Sequence, residues 1–254
     1  MALRNKSLFL YGYEVTTANR SLDFRTTSGG PIRQATLTLG SYSATTLIAE
    51  IKRAMSAADA SFVYFVTLDR SISSGQENRL TIATSGVYLD LLFSSGPRAS
   101  SSCASLLGFA LSDRTGATSY TGTISTGIIL ISELVAYNYI PPSMMNTVFG
   151  SLNVTASGIK EAMVWAIQKF FQVEFRLEPE SKVILQWSPF FQWAIQQKYL
   201  EFTPDITAPS SFFECTLEST QADGKGMGFK FDEMLPDNPF FYKTGLLKFR
   251  QRTA

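Results

Sequence analysis

Ala35 to Met55 reads ATLTLGSYSATTLIAEIKRAM, and two periodicities meet inside it. Arg33 to Leu39 alternates apolar and polar residues, the pattern of a half-buried strand. Gly40 breaks that run. Ser41 or Ser43 then offers a side-chain oxygen to cap a helix, and Leu47, Ile48, Ile51 and Met55 recur at helical spacing on one face. Beyond this stretch, Phe62 to Leu68 is rich in aromatic and β-branched residues. A polar link, Ser71 to Asn78, carries Gly75. Arg79 to Ala83 alternates, and Val87, Leu89, Leu91 and Phe93 form a second period-2 row. The reading is strand, helix, three strands: a small α/β module with one main helix. Upstream, Ser7–Val15 and Ser21–Thr26 read as two strands around the turn TTANR.

Downstream of the module, Leu107 to Gly122 reads LGFALSDRTGATSYTG. Ser100 to Ser102 cap a short helix bearing Ala104, Leu106 and Leu107. Gly108 ends it in the left-handed conformation that glycine tolerates. Phe109 folds back onto the core. Asp113 accepts from amides two residues on, Gly116 relieves the bend, and Ala117–Ser125 returns as a polar strand. A calcium loop is the rival, but calcium asks for several oxygen donors and Asp113 stands alone.

The totals narrow the function classes. The chain has 254 residues, enough for one large β domain or two modest ones, with 45% hydrophobic and only 17% charged residues. A low-charge surface suits a protein that other chains cover. The net charge of +1 argues against bulk electrostatic binding to nucleic acid or anionic lipid. Histidine is absent, which removes Ser-His-Asp and Cys-His catalysis and any His-ligated metal. Cys103 and Cys215 are distant and unpaired in motif, hence two reduced thiols. The opening MALRNKSLFLYGYEV lacks an apolar run of signal-peptide length, and Gly127–Val135 is too short for a bilayer span. The expectation is a soluble, unprocessed chain made inside the cell, without cofactor or metal.

Composition shifts near residue 140. Residues 1–140 hold 37 Ser or Thr and 14 aromatics, against 16 and 19 in the shorter span 141–254. Pro141-Pro142 sits at the join, so the chain reads as two domains, 1–140 and 141–254. In the second, Ile159–Leu177 alternates for nineteen residues, which favours a hairpin or bent strand over the rival helix at 159–170. Ser188 and Pro189 start a short helix bearing Phe190, Trp193, Ala194 and Gln197. Phe213, Cys215 and Leu217 pair through the QADGKG turn with Phe229 and Phe231. DNPFFYKTG is a loop, and Leu246–Arg250 is a last strand. The fold class is mainly β (α+β), the second domain β-sandwich-like.

The clusters that invite chemistry each have a plainer explanation. GKGMG at 224–228 lacks the Ser or Thr and the following helix of a phosphate loop. Glu218, Asp232 and Glu233 span the same predicted hairpin and could serve glycoside hydrolysis, but Asp232 alternates with Phe229 and Phe231 onto a solvated face. The serines of 94–105 have neither an elbow motif nor a base. Trp187, Phe190, Phe191 and Trp193 read as core, with a subunit interface as the competing role.

The run ATLTLGSYSATTLIAEIKRAM, then FVYFVTLDRS, NRLTIATSGVYLDLLFSSGPRASSSCASLLGF, resembles a module of virion proteins from tailed phages and other large DNA viruses. The matching positions include Gly40, Tyr42, Leu47, Ile51, Leu80, Ile82, Leu91, Leu92, Phe93, Leu107, Gly108 and Phe109, all apolar or turn-forming. Of these, Leu47, Ile51, Leu91, Phe93, Leu107 and Phe109 would be the module core. The second zone, with its LEST…GFKF and FYKTGLLKFR stretches, resembles distal-tail and baseplate-hub proteins. No segment matches a tube-forming long hairpin, a peptidoglycan hydrolase motif or a tape-measure helix. The resemblance implies a non-enzymatic component of the virion tail, assembled in the host cytoplasm. It would pack as a ring, hexamer or trimer, against itself and other tail proteins, with DNA only passing through a lumen and no membrane. Tyr120 to Ile128, including Thr121, and Pro236 to Thr244, including Phe240, Phe241 and Tyr242, are the candidate contact loops. A receptor- or carbohydrate-binding module that holds sugar on Phe240, Phe241 and Tyr242 is the alternative.

Overall fold

The computed structural model describes residues 6–70, 78–124, 126, 128–133, 139–154, 160–175, 178–196, 198–203, 212–218, 232–235, 238–244 and 246–252. The chain begins with β1 (Lys6–Tyr11), β2 (Tyr13–Val15), β3 (Ser21–Arg25), β4 (Arg33–Thr36) and β5 (Gly40–Tyr42), then α1 (Ala44–Ala58). β6 (Tyr64–Leu68), β7 (Leu80–Thr84), β8 (Leu89–Leu91), β9 (Arg114–Ala117) and β10 (Ser119–Thr121) follow. Next come β11 (Ile128–Glu133), β12 (Tyr139–Val154), β13 (Lys160–Phe175) and β14 (Glu178–Pro179). A helical run comprises α2 (Glu180–Lys182), a π turn (Val183–Trp187) and α3 (Ser188–Ala194). The last strands are β15 (Leu200–Thr203), β16 (Phe213–Leu217), β17 (Asp232–Leu235), β18 (Asn238–Lys243) and β19 (Leu246–Gln251). The fold is mainly β, of the α+β kind.

The chain divides into two compact units. Leu10–Ile129 with Ile206–Ser210 form a central unit; Met1–Phe9, Leu130–Asp205 and Ser211–Ala254 form a discontinuous one. In the central unit, α1 starts at Ser43. The Ser43 hydroxyl accepts from the Thr46 amide at 3.2 Å, and the Thr46 hydroxyl accepts from the Ser43 amide at 2.9 Å. That reciprocal pair satisfies two of the otherwise orphaned N–H groups of the first turn. Leu47, Ile51, Ala54 and Met55 are buried on the face that the spacing marked, and Ile48 packs at its margin. α1 lies against β4 and β6.

Three antiparallel sheets surround that helix: β4-β3-β8-β9, β10-β7-β6, and the pair β2-β5. Leu47, Ile51, Leu91, Phe93, Leu107 and Phe109 are all buried in one cluster with Tyr13, Phe24 and Ile82. Phe93 and Phe109 sit 5.1 Å apart between ring centres. Val87 departs from its predicted row and is 93% exposed.

The serine-rich segment folds differently from expectation. A 3-10 turn, Ala99–Ser101, and a set of hydrogen-bonded turns replace the short helix. Gly108 does take φ +75°, with the Phe109 amide donating to the Ala104 carbonyl at 2.9 Å. Asp113 does not cap its own turn. One carboxylate oxygen reaches back nineteen residues to accept from the Ser94 amide at 2.7 Å, the Ser95 amide at 3.1 Å and the Ser94 hydroxyl at 2.9 Å. Those exposed amides are otherwise orphans, and an anion satisfies them better than the local turn would.

In the discontinuous unit a seven-stranded sheet has the order β11-β1-β15-β16-β19-β13-β12, and a three-stranded one β14-β18-β17. β12 and β13 form a hairpin of two 16-residue strands; the alternating run supplies β13, while its partner β12 has no counterpart among the elements read from the sequence. Two features hid it. Pro141 and Pro142 looked like a linker, but they lie within β12 where the register shifts between Ile140 and Ser143, a place where a missing N–H breaks no ladder bond. Ser and Asn residues also mask the alternation of β12. Asn238–Lys243 is not a loop either: it forms β18, which pairs antiparallel with both β17 and β14. α3 does begin at Ser188 with Pro189 in its first turn, but the Ser188 side chain does not cap it, and its amide donates to the Val183 carbonyl, five residues back in the π turn. Phe229 and Phe231 lie outside the described residues.

Candidate interaction surface

β6, β7 and β10 present one face inward and one outward. Tyr64, Val66 and Leu68, with Leu80, Ile82 and Thr84, are buried. The register sets Phe65, Ala83 and Ser119 in one outer row and Thr67, Thr81 and Thr121 in the next. The Thr81 and Thr121 hydroxyls hydrogen-bond at 2.8 Å. Phe65 is 50% exposed and Val63, just before the strand, 60%. The face therefore carries hydroxyls and apolar groups with no charge, the chemistry of a surface that another chain can cover without stranding an ion.

Sheet edges in the central unit are treated unequally. The open side of β4 is closed by α1: Glu50 accepts from the Thr38 amide at 2.6 Å, and Arg53 donates to the Thr36 carbonyl at 3.3 Å. β6 lies at the end of its sheet order and has no such closure among the described residues. In the discontinuous unit, Phe170–Glu174 of β13 pair with β19, whereas Lys160–Lys169 have only β12 as a strand neighbour among the described residues. The far half of the hairpin is thus a two-stranded ribbon, a form that is marginal by itself in water.

The expected contact residues fall in different surroundings. Thr121 is exposed on the outer row. The Tyr120 hydroxyl accepts from the Ala117 amide at 2.8 Å and donates to the Leu89 carbonyl at 2.9 Å, which makes it an internal strut. Phe241 and Tyr242 are half-buried in β18, opposite Pro179 and Glu178. Ile128 and Phe240 lie in strands, β11 and β18, whose backbones alone are described there. Tyr120, Thr121 and Ile128 belong to the central unit, and Phe240, Phe241 and Tyr242 to the discontinuous one. The β6 edge carries no local signal in the sequence, where Val63 and Phe65 are simply part of an aromatic and β-branched strand. Only the sheet order shows which strand is last.

The carboxylates that invite hydrolysis lie in or beside different strands. Glu218 follows β16 and pairs with Arg250 at 2.6 Å, whereas Asp232 and Glu233 belong to β17 in the other sheet. Both thiols are fully buried. Burial pushes Cys103 up to about 12, and burial, with Glu201 and Glu214 nearby, raises Cys215. Among the described residues, no three Cys, Asp or Glu side chains gather as a metal site would require, and no helix is long and apolar enough to cross a membrane. Compared with family models and with curated proteins, the chain matches none.

Proposed function

We propose that this chain is a structural component of a tailed phage particle, a ring-forming tail-tip, baseplate or neck protein of the distal-tail kind that joins the tail tube to fibres or tip. Its work is geometric: repeated copies pack side by side and leave a lumen for DNA. The observation that carries the reading is the β12–β13 ribbon, whose Lys160–Lys169 stretch has no third strand among the described residues. Such a ribbon gains its stability when neighbouring copies supply the missing strands. The uncharged outer rows around Phe65 and Thr81 fit the same role, as does the low overall charge.

The test is light scattering and negative-stain imaging of the full chain, beside a variant in which residues 148–167 are replaced by a four-residue turn. Rings from the parent and none from the shortened variant, with the central unit still folded, are expected. Monomers at every concentration, and no labelling of phage tails by antibody to the chain, overturn the proposal.

A further inference from the structure

We propose that β6 pairs, edge to edge and antiparallel, with β6 of a second copy, with Phe65 facing Phe65 across a two-fold axis. The polarity of the edge follows from its hydrogen bonds. Val63 accepts from the Ser85 amide at 2.8 Å, and the Asp69 amide donates to Arg79 at 3.1 Å. The odd-numbered residues therefore serve β7, and the backbone groups of Tyr64, Val66 and Leu68 point away from it. Among the described residues, none hydrogen-bonds those outward groups.

Natural edge strands carry a charge, a proline, a bulge or a covering element to prevent pairing. β4 has such a cover in Glu50 and Arg53. Phe62–Leu68 has no proline and no charged residue, and its register with β7 runs without a shift. The row of outward amides and carbonyls defines the occupant as another strand. A second β6 matches it in length and polarity better than the three-residue, hydroxyl-bearing β10 does.

Charge and register favour self-pairing about Phe65. Seven uncharged residues meet no like charge in their own copy. With residues i and 130 − i opposed, Asp69 and Arg70 run past Ser61 and Ala60 of the second copy, not past each other. An axis at Phe65 makes it a non-hydrogen-bonded pair, where side chains come closest, and sets Val63 beside Thr67. The two exposed apolar side chains are then covered and the rings form a favourable cross-strand pair. An axis at Val66 would waste Phe65 on Thr67. A single short edge buries far less than the roughly 1,600 Å² of a standard interface, so the pair is reversible when free and firm within a larger assembly. A two-fold contact closes after two copies. It therefore joins rings or links neighbouring particle layers and does not build the ring itself. The inference rests on the assembly reading for its setting only.

Full-length F65C, T67C and V63C variants are oxidised under mild conditions; the native Cys103 and Cys215 are buried and give no background. F65C is expected to form disulfide dimers at least about tenfold faster than T67C, since only the first brings its own Cβ atoms within bonding range. Mixed V63C and T67C should cross-link to each other. F65K should keep the native circular dichroism and weaken self-association about tenfold or more, as a lysine on an edge strand does. Equal rates for F65C and T67C, or no dimer from either, overturn the proposal. Rings that persist while F65C fails to cross-link overturn this edge and leave the hairpin reading standing. Monomers in every assay overturn both.

Discussion

Glu50 and Arg53, one turn apart on α1, form a bidentate ion pair with contacts of 2.6 and 2.7 Å, and the same two side chains close the open edge of β4. The pair therefore acts as a lid on backbone groups as much as a surface charge contact. The hydrogen bonds from Arg53, with help from the Thr38 amide and against the burial of the carboxylate, hold Glu50 at about 2.

The folded-state value lies below the usual glutamate value, so this contribution is present at pH above about 4.5 and lost as pH falls toward about 2. Glu50→Gln is expected to lower stability by about 2 kcal/mol at pH 7, the scale of a hydrogen bond to a charged group. The gap to wild type should close between pH 4.5 and 2. Urea unfolding midpoints across that range check it; a constant gap would refute it.

Asp23 and Arg98 pin the serine-rich segment to β3. Arg98 donates to Asp23 through its backbone amide at 2.8 Å and its guanidinium at 2.9 and 2.7 Å, and reaches the Ala35 carbonyl at 2.9 Å. Arg98→Ala leaves a buried carboxylate unpaired, and a loss of about 3 kcal/mol is expected. The double variant Asp23→Leu, Arg98→Leu should recover part of it in thermal unfolding. Gly96→Ala should also destabilise, because a Cβ there would lie 2.6 Å from the Asp23 carboxylate and from the Leu92 carbonyl.

Gly108 occupies left-handed backbone at φ +75°, and an added Cβ would strike the Ile124 carbonyl and the Thr126 side chain. Gly108→Ala is expected to cost about 2 kcal/mol or more, since strain and clash add. Gly116, at φ +84° with open space around it, should lose less on the same change. Comparing the two midpoints separates clash from conformational strain.

Neither cysteine should react in the folded protein. Cys103 is buried and its thiol is pushed up to about 12. At pH 8 a thiol reagent should label no sites on the native chain and two after denaturation. Rapid labelling of the native chain would contradict the burial.

The α1 module was legible because its signals are local. Ser43 and the Leu47–Ile51–Met55 stripe each act within a few residues, and the structure uses them as read, whereas Gly40, read as a break, opens β5 after β4 has already ended at Thr36. The second half was less so. The period-2 run of β13 was visible, but its partner β12 passes through two prolines, and a register shift that accommodates them leaves no mark in sequence. Asp113 binding Ser94 and Ser95, and Glu50 with Arg53 covering β4, are tertiary relations between separated residues. The exposed edge of β6 is a property of strand order, which residue composition does not encode.

The position of β1 between β11 and β15 has a temporal consequence. Tyr11 and Leu200 are 189 positions apart, so during translation the strand must stay unpaired on that side while the whole central unit is synthesised and can already condense. Late, long-range closure of this sort is slow and leaves a sticky strand exposed on the nascent polypeptide. Cells making the protein thus face a window in which chaperone supply, more than final stability, sets the yield.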